Sequence, residues 1–217
     1  MKKILRIVIT GGPCGGKTTA LNRVSKLFEE EGYTVFLVSE TATELILDHI
    51  KPFGDDLDRI PLIEFQKLVL INQLSKEKIR DYAAEVCQND KVVIICDRGI
   101  LDNRAYITHK EFEQLALEQG ITEQEILDRY QLVLHMTTAA KGKEQAYILS
   151  NNEARTETIN EAIEVDDRTI NAWYNHPNRY IFENDCDFPE KMRRVEVIVK
   201  NFIKKEKQQE QARKLIK

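Results

Sequence analysis

The chain has 217 residues, the size of one domain, and 42% of them are hydrophobic, which is enough to build a substantial core. With a formal net charge of −4 it has no bulk electrostatic attraction for nucleic acid, and we expect no nucleic-acid partner. No apolar stretch approaches the length of a membrane span, so membrane association is not expected. The four cysteines are scattered without a C-x-x-C pair, which favours reduced thiols and a cytoplasmic protein.

Five apolar, β-branched segments alternate with helical patterns along the chain. The predicted strands are KILRIVIT, YTVFLVSE, KVVIICDRG, QLVLHMT and NRYIFEN. Two of the helices between them open with a T-x-x-E capping box, at Thr108 and Thr122. Strands separated by helices predict an α/β fold, here a five-stranded parallel sheet with helices on both faces.

The domain organisation is simple. Residues 1–203 are predicted to form one domain, in which the polar segment 139–158 is the candidate for a small lid. Residues 204–217 form a charged helical tail, which could bind a membrane or a partner helix. Its glutamates and weak apolar stripe favour a solvated helix instead. The sequence leaves a homodimer open.

The stretch GGPCGGKTT follows the first predicted strand and fits the pattern G-x-x-x-x-G-K-[ST]. Its glycines let the backbone curl so that N–H groups surround phosphate oxygens, and the next helix directs its positive dipole end to the same anion. Lys17 would reach the β- and γ-phosphates, and Thr18 would place its hydroxyl on Mg²⁺. A glycine-rich turn without a ligand is the alternative. The predicted nucleotide contacts are Gly11, Gly12, Pro13, Cys14, Gly15, Gly16, Lys17, Thr18 and Thr19.

Asp97 follows five apolar residues in VVIICDRG, a pattern typical of the acidic residue that ends a Walker-B strand. Beside the phosphate loop, this carboxylate would bind Mg²⁺ directly or through water. The alternative is an ordinary aspartate that caps a helix. Thr18 and Asp97 together are therefore the predicted metal ligands.

Glu40 ends the second predicted strand and Arg98 follows Asp97, so both are expected at the carboxyl edge of the sheet, where ligands bind. Glu40 could accept a proton from an attacking hydroxyl. Arg98 could neutralise phosphate or orient the acceptor. The structural alternative is that the two side chains form a surface ion pair with each other.

Taken together, GGPCGGKT, VSETA, CDRG, EARTET and NAWYNHPNRYIFEN resemble the P-loop kinases over roughly residues 4–203. The chain looks most like the AAA-domain-like group that includes the ribosylnicotinamide kinase domain, with deoxynucleoside and thymidylate kinases as more distant relatives. The resemblance implies a P-loop NTPase fold. It also implies Mg-ATP-dependent transfer of a phosphoryl group to a small nucleoside- or nucleotide-like acceptor.

The same resemblance implies a lid arginine that swings onto the transferring phosphate. Arg155 in EARTET matches it, and Lys141 and Lys143 are weaker candidates. Apart from Arg168 further along, the lid carries no second arginine, unlike an arginine-dense lid. The acceptor therefore stays open between a nucleoside, a monophosphate and another small molecule.

Further contacts are implied by the same resemblance, the first of them by similarity to the deoxynucleoside kinases. Phe65-Gln66 resembles their Phe-Gln pair, which reads the acceptor base, although plain helix packing is the alternative. Relatives contact the nucleotide base at the turn after the fifth strand, where Asn184 and Asp187 lie. In DNRAY, just beyond Asp97, an arginine and a tyrosine could line the acceptor pocket.

Two rival functions remain at this stage. The first is a regulatory module that binds GTP or ATP, is linked to phosphoinositide membranes and has little or no kinase activity. The chain has no N-K-x-D signature, and its D-R-G is not D-x-x-G, which argues against an ordinary switch GTPase. An assembly ATPase of the AAA+ kind would need a helical lid domain after the core. The sequence does not decide between ATP and GTP.

Overall fold

The computed structural model describes residue 2 and residues 4–52, 59–147 and 158–215. Five strands form one all-parallel sheet in the order β2-β3-β1-β4-β5. They are β1 (Ile4–Thr10), β2 (Thr34–Val38), β3 (Val92–Asp97), β4 (Leu132–Met136) and β5 (Arg179–Phe182). This arrangement confirms the α/β fold and the five strands predicted from the sequence.

The helices are α1 (Lys17–Glu30), α2 (Thr41–Leu47), α3 (Leu62–Val86), α4 (His109–Glu118), α5 (Glu123–Arg129), α6 (Ile159–Ala172) and α7 (Phe188–Leu215), with 3₁₀ turns at Ile100–Ala105 and Glu144–Ala146. Reciprocal capping boxes open α4, α5 and α6, at Thr108, Thr122 and Thr158. In each box the threonine hydroxyl accepts from the amide three residues on, and the glutamate there accepts from the threonine amide. The capping boxes at Thr108 and Thr122 were predicted from the sequence.

Both faces of the sheet are covered, which is why its central strands are nearly continuous apolar runs. On one face, Ile7 and Ile9 pack in a cluster with Val24 and Phe28 of α1 and with the apolar side of α7. The other face packs against α3, α4, α5 and the carboxyl end of α6, where Trp173 is fully buried. These two apolar clusters, one on each face, hold the sheet and so fix the positions of the strand ends.

The register brings the chemically important strand ends together. Ile9 of β1 lies opposite Asp97 of β3, and Thr10 lies opposite His135 of β4. Because all five strands are parallel, the loop after β1 and the end of β2 meet at the same edge of the sheet. The functional site is built on this edge.

Helix α7 continues without a break across residue 204, where the tail was predicted to begin. Ile203 is buried against the sheet, and Lys207 forms an ion pair with Glu31 at the end of α1. A separate role for residues 204–217 stays a prediction.

Candidate active site

The phosphate loop spans residues 11–16, between the end of β1 and the start of α1. Gly11, Cys14 and Gly16 have φ values of 127°, 55° and 92°, which place them at positive φ and curl the chain. A Cβ on Gly11 would also lie 2.1 Å from the carbonyl oxygen of Met136. Glycine is therefore required here for its backbone conformation and for its lack of a side chain.

The outer wall of the loop packs against the end of β4 and against α6. The Gly12 amide donates to Asp166 Oδ1 at 2.8 Å, and Thr138 Oγ1 donates to the carbonyl of Pro13 at 2.7 Å. Cys14 packs on a small buried cluster that includes Tyr147, at the start of the predicted lid. The sequence analysis missed Asp166.

Lys17 is the first residue of α1 and extends over the loop. Its ammonium donates to the carbonyls of Gly11 and Gly12, at 3.1 and 2.9 Å. Burial acts to raise the pKa values of Glu40 and Asp97, and the positive charge of Lys17 opposes this effect at both; the net pKa is lowered at Glu40 and raised at Asp97. The phosphate-loop lysine and both predicted carboxylates are therefore close enough to act in one site.

The two predicted metal ligands offer oxygens of the kind that Mg²⁺ prefers. Burial raises the pKa of the Asp97 carboxyl, and its buried Oδ1 has no hydrogen-bond partner among the described residues. The side chain of Thr18 is exposed at the second position of α1. A buried carboxylate oxygen left without a partner normally costs stability, so its presence beside the loop fits a cation site.

Glu40 and Arg98 form an ion pair inside the site, with 26% and 16% of their side chains exposed. Burial alone would raise the pKa of Glu40, but the charges of Arg98 and Lys17, with hydrogen bonds from Arg98 and Thr43, lower it to about 2. Arg98 itself has a φ of 70°, which costs about 1–2 kcal/mol for a residue with a Cβ. Its buried Nη1 has no hydrogen-bond partner among the described residues. The Nη1 group of Arg98 is therefore available to donate a hydrogen bond to a ligand.

A cavity of about 640 Å³ lies between α2, α3 and α6. Pro13 of the phosphate loop, Glu40 and Arg98 all line it, so the cavity and the phosphate loop share a wall. The apolar part of its wall includes Ala42, Ile46, Leu62, Phe65, Val69 and Val165. The side chain of Gln66 lines the cavity too, is buried, and makes no hydrogen bond to a described residue. An apolar pocket with a few polar groups is typical of a small-molecule site.

A larger depression, of about 910 Å³, lies at the opposite edge of the sheet, between the starts of β4 and β5 and residues 198–209 of α7. None of the residues predicted to do chemistry lines it. We therefore assign the functional site to the cavity beside the phosphate loop.

The lysines and arginines predicted to act from the lid differ in their contacts and exposure. Lys141 bonds to Asp166 at 2.8 Å and to Asp167 at 2.6 Å, and Lys143 is exposed. Arg168 lines the cavity from α6. Arg155 lies outside the described residues.

The side chains of the two residues predicted to contact the base already make hydrogen bonds within the protein. The Asn184 amide donates to the carbonyls of Thr138 and Lys141 at 2.7 and 2.9 Å, and accepts from Lys191 at 2.8 Å. Asp187 accepts from the amide of Glu190 at 2.7 Å and so caps the start of α7. A role for either residue in base recognition stays a prediction.

The 3₁₀ turn after β3 contributes a second aspartate that the sequence analysis missed. Asp102 is buried, and its Oδ1 accepts from Thr10 at 2.8 Å and from the Trp173 indole at 2.7 Å. Its Oδ2 accepts from the amide of Gly99 at 2.9 Å. Asp102 thus ties α6 to the strand end that precedes the phosphate loop.

Of the two residues predicted in the DNRAY segment, Tyr106 lines the cavity. Arg104 is not part of the cavity wall and pairs with Glu123 at 2.9 Å.

The parallel sheet and its glycine-curled loop define a P-loop NTPase-type domain. A model of the AAA domain matches residues 6–191, which is most of the chain, and the chain therefore belongs to the AAA domain family. This membership confirms a nucleotide-binding P-loop domain, while the closer relation to ribosylnicotinamide kinases stays a prediction. None of the curated proteins compared with the chain matches it. Among the described helices, none is both long and apolar enough to cross a membrane.

Proposed function

We propose that the protein is a P-loop kinase that transfers the γ-phosphoryl group of ATP, or of GTP, to a small nucleoside- or nucleotide-like acceptor. The observation that carries this proposal is the cavity that is lined by Pro13 of the phosphate loop and by Glu40 and Arg98. A kinase needs a second substrate site next to its triphosphate. A nucleotide switch has no need of an apolar pocket there.

On the donor side, loop amides and Lys17 would bind the triphosphate. Thr18 and Asp97 would hold Mg²⁺, which neutralises charge on the phosphates when bound. Lys17 would have to leave the loop carbonyls that it contacts here, at 2.9 and 3.1 Å, to reach the phosphate. Until a nucleotide binds, the hydrogen bonds to these carbonyls keep the Lys17 ammonium within the site.

On the acceptor side, the low pKa of Glu40, about 2, makes this carboxylate a weak base at neutral pH. We therefore assign it the role of accepting a hydrogen bond from the acceptor hydroxyl and aiming its oxygen at the γ-phosphorus. Phosphoryl transfer needs in-line positioning and charge neutralisation more than it needs proton removal. Arg98 would use its spare Nη1 donor on the transferring group, and Arg155 would cover the group from the lid.

The four cysteines, all free thiols in the structure, support a cytoplasmic location for this reaction.

The test is an assay of ADP release with Mg·ATP and a panel of nucleosides, nucleoside monophosphates and nicotinamide riboside. Release that depends on an added acceptor supports the kinase, and Lys17→Ala should remove nearly all of it. Tight binding of GTP with no acceptor-dependent turnover would contradict the proposal and favour the regulatory module.

The role of Glu40 has its own test. Glu40→Gln should slow transfer with a smaller effect on ATP binding, because a neutral amide oxygen accepts a weaker hydrogen bond from the acceptor hydroxyl than a carboxylate does. Glu44→Gln is a matched control one turn along α2, since Glu44 pairs with Lys76 and does not line the cavity. If Glu40→Gln phosphorylates its acceptor at the native rate, the assignment of Glu40 is wrong.

A further inference from the structure

Asp166 lies in the middle of α6 and is completely buried. Its Oδ1 accepts from the amides of Gly12 and Thr138, at 2.8 and 3.2 Å, and lies 3.0 Å from His135 Nε2. Its Oδ2 accepts from Lys141 Nζ at 2.8 Å. An ionised carboxylate can only accept hydrogen bonds, so Nε2 carries the proton and four donors converge on this side chain.

The charge of this aspartate is well supported. Burial alone would raise the pKa of Asp166, but the hydrogen bonds and charges of His135 and Lys141 lower it to about 2. The side chain is thus ionised at neutral pH. The Gly12 and Thr138 amides and the His135 ring would lose this partner if the carboxylate were removed, because Asp166 is completely buried, whereas Lys141 would keep Asp167.

The Gly11–Gly12 peptide of the phosphate loop is held from both sides. Its N–H, on Gly12, donates to Asp166, and its carbonyl, on Gly11, accepts from Lys17 at 3.1 Å. A Cβ on Gly12 would lie 2.8 Å from Asp166 Oδ1 and 2.7 Å from the Thr138 Cβ, so α6 and the chain after β4 press directly on this residue.

The next residue, Pro13, has no amide hydrogen. With the Gly12 N–H committed to Asp166, neither Gly12 nor Pro13 can donate an amide hydrogen to a phosphate. Helix α6 therefore supports the loop from behind without donating to the ligand. The same helix supplies Val165 and Arg168 to the wall of the acceptor cavity.

We propose that Asp166 is a positioning residue for triphosphate binding, which holds the Gly11–Gly12 peptide so that the amides of Gly15 and Gly16 point into the phosphate site. This inference rests on the proposed binding of nucleotide at the loop. In the absence of Asp166, the loop samples other orientations, and each binding event has to order it.

The experiment is a calorimetric titration of the full chain with Mg·ATP and with inorganic tripolyphosphate plus Mg²⁺. Asp166→Ala should weaken the binding of both ligands at least tenfold, because the effect is on the phosphate cradle and not on the base. Asp166→Asn keeps an oxygen for the same N–H donors, and Lys141 keeps Asp167, so binding should stay within about threefold of the unsubstituted protein. Asp167→Ala, at the exposed neighbour, is the control and should change nothing.

Rescue by asparagine separates positioning of the loop from simple loss of a buried charge. Equal binding by Asp166→Ala and the unsubstituted protein would overturn the inference alone. If the unsubstituted protein binds neither ligand, the proposed function falls and the inference falls with it.

A second measurement covers the case in which Asp166→Ala does not fold. In amide NMR spectra of the unsubstituted protein, the Gly12 N–H should be protected from exchange before any ligand is added. On addition of Mg²⁺ and tripolyphosphate, its resonance should move less than those of Gly15 and Gly16. Rapid exchange of the Gly12 amide without ligand, or a shift as large as those of Gly15 and Gly16, would overturn the inference.

Discussion

Replacing Arg98 with methionine should destabilise the protein by removing the guanidinium that pairs with Glu40, while most of the apolar stem is kept. Both side chains are more than two-thirds buried. Removing one partner of a pair in such a position leaves the other charge without compensation, and this cost exceeds that of losing a surface ion pair.

The magnitude follows from the pKa of Glu40, which falls from 4.5 to about 2 in the folded protein. At about 1.36 kcal/mol per unit, this difference corresponds to a net contribution of about 3.4 kcal/mol from the ionised Glu40. Lys17 supplies part of the shift, and solvent screens the 26% of Glu40 that is exposed. We therefore expect Arg98→Met to lower the free energy of unfolding at pH 7 by about 2 kcal/mol.

The sign of the pH dependence is fixed because the folded-state pKa lies below the unfolded one. The contribution of Glu40 is fully present above about pH 4.5 and is lost as the pH falls towards 2. The difference in unfolding free energy between the two proteins should therefore shrink over the same range.

Urea unfolding followed by circular dichroism, at pH 7 and at intervals down to pH 3, measures this difference. Arg194→Met is the matched control, because Arg194 pairs with Asp185 at 2.8 Å and both side chains are exposed. It should change stability by less than about 0.5 kcal/mol. If Arg98→Met costs no more than the control, and its cost does not depend on pH, then Arg98 does not hold Glu40 in its ionised form.

Three other substitutions test separate parts of the site. Gly11→Ala should abolish tripolyphosphate binding in calorimetry, because its Cβ would lie 2.1 Å from the Met136 carbonyl oxygen, and native affinity would contradict the loop geometry. Asp97→Asn should raise the Mg²⁺ concentration needed for ATP binding at least tenfold, while an unchanged Mg²⁺ titration would remove Asp97 from the metal site. Gln66→Leu should raise the KM of the acceptor and leave that of ATP unchanged, since the amide lines the cavity and not the phosphate loop. Equal changes in both KM values would place Gln66 outside acceptor recognition.

The sequence predicted those parts of the molecule that have a local cause. Strands buried on both faces appear as apolar runs, and a glycine-rich curl between a strand and a helix has a spacing that few other structures need. The carboxyl-edge positions of Glu40 and Asp97 followed from the order of strands and helices. The capping box at Thr158 could have been found by the rule that identified those at Thr108 and Thr122.

The buried aspartates could not be predicted in this way, because their partners are distant in the chain. Asp166 meets Gly12 across 154 positions of sequence, and Asp102 meets Thr10 across 92. Nothing in the residues around either aspartate indicates whether it is exposed or buried. Their roles come from the packing of α6 and of the 3₁₀ turn onto the sheet edge.

The packing of Trp173 gives the protein an optical reporter of its own. It is the one tryptophan of the chain, it is fully buried, and its indole bonds to Asp102 and lies against Gly99. Both of these neighbours line the acceptor cavity. Tryptophan fluorescence therefore originates from a single indole directly behind that cavity, so candidate acceptors can be screened by the intensity of tryptophan emission without attaching a dye.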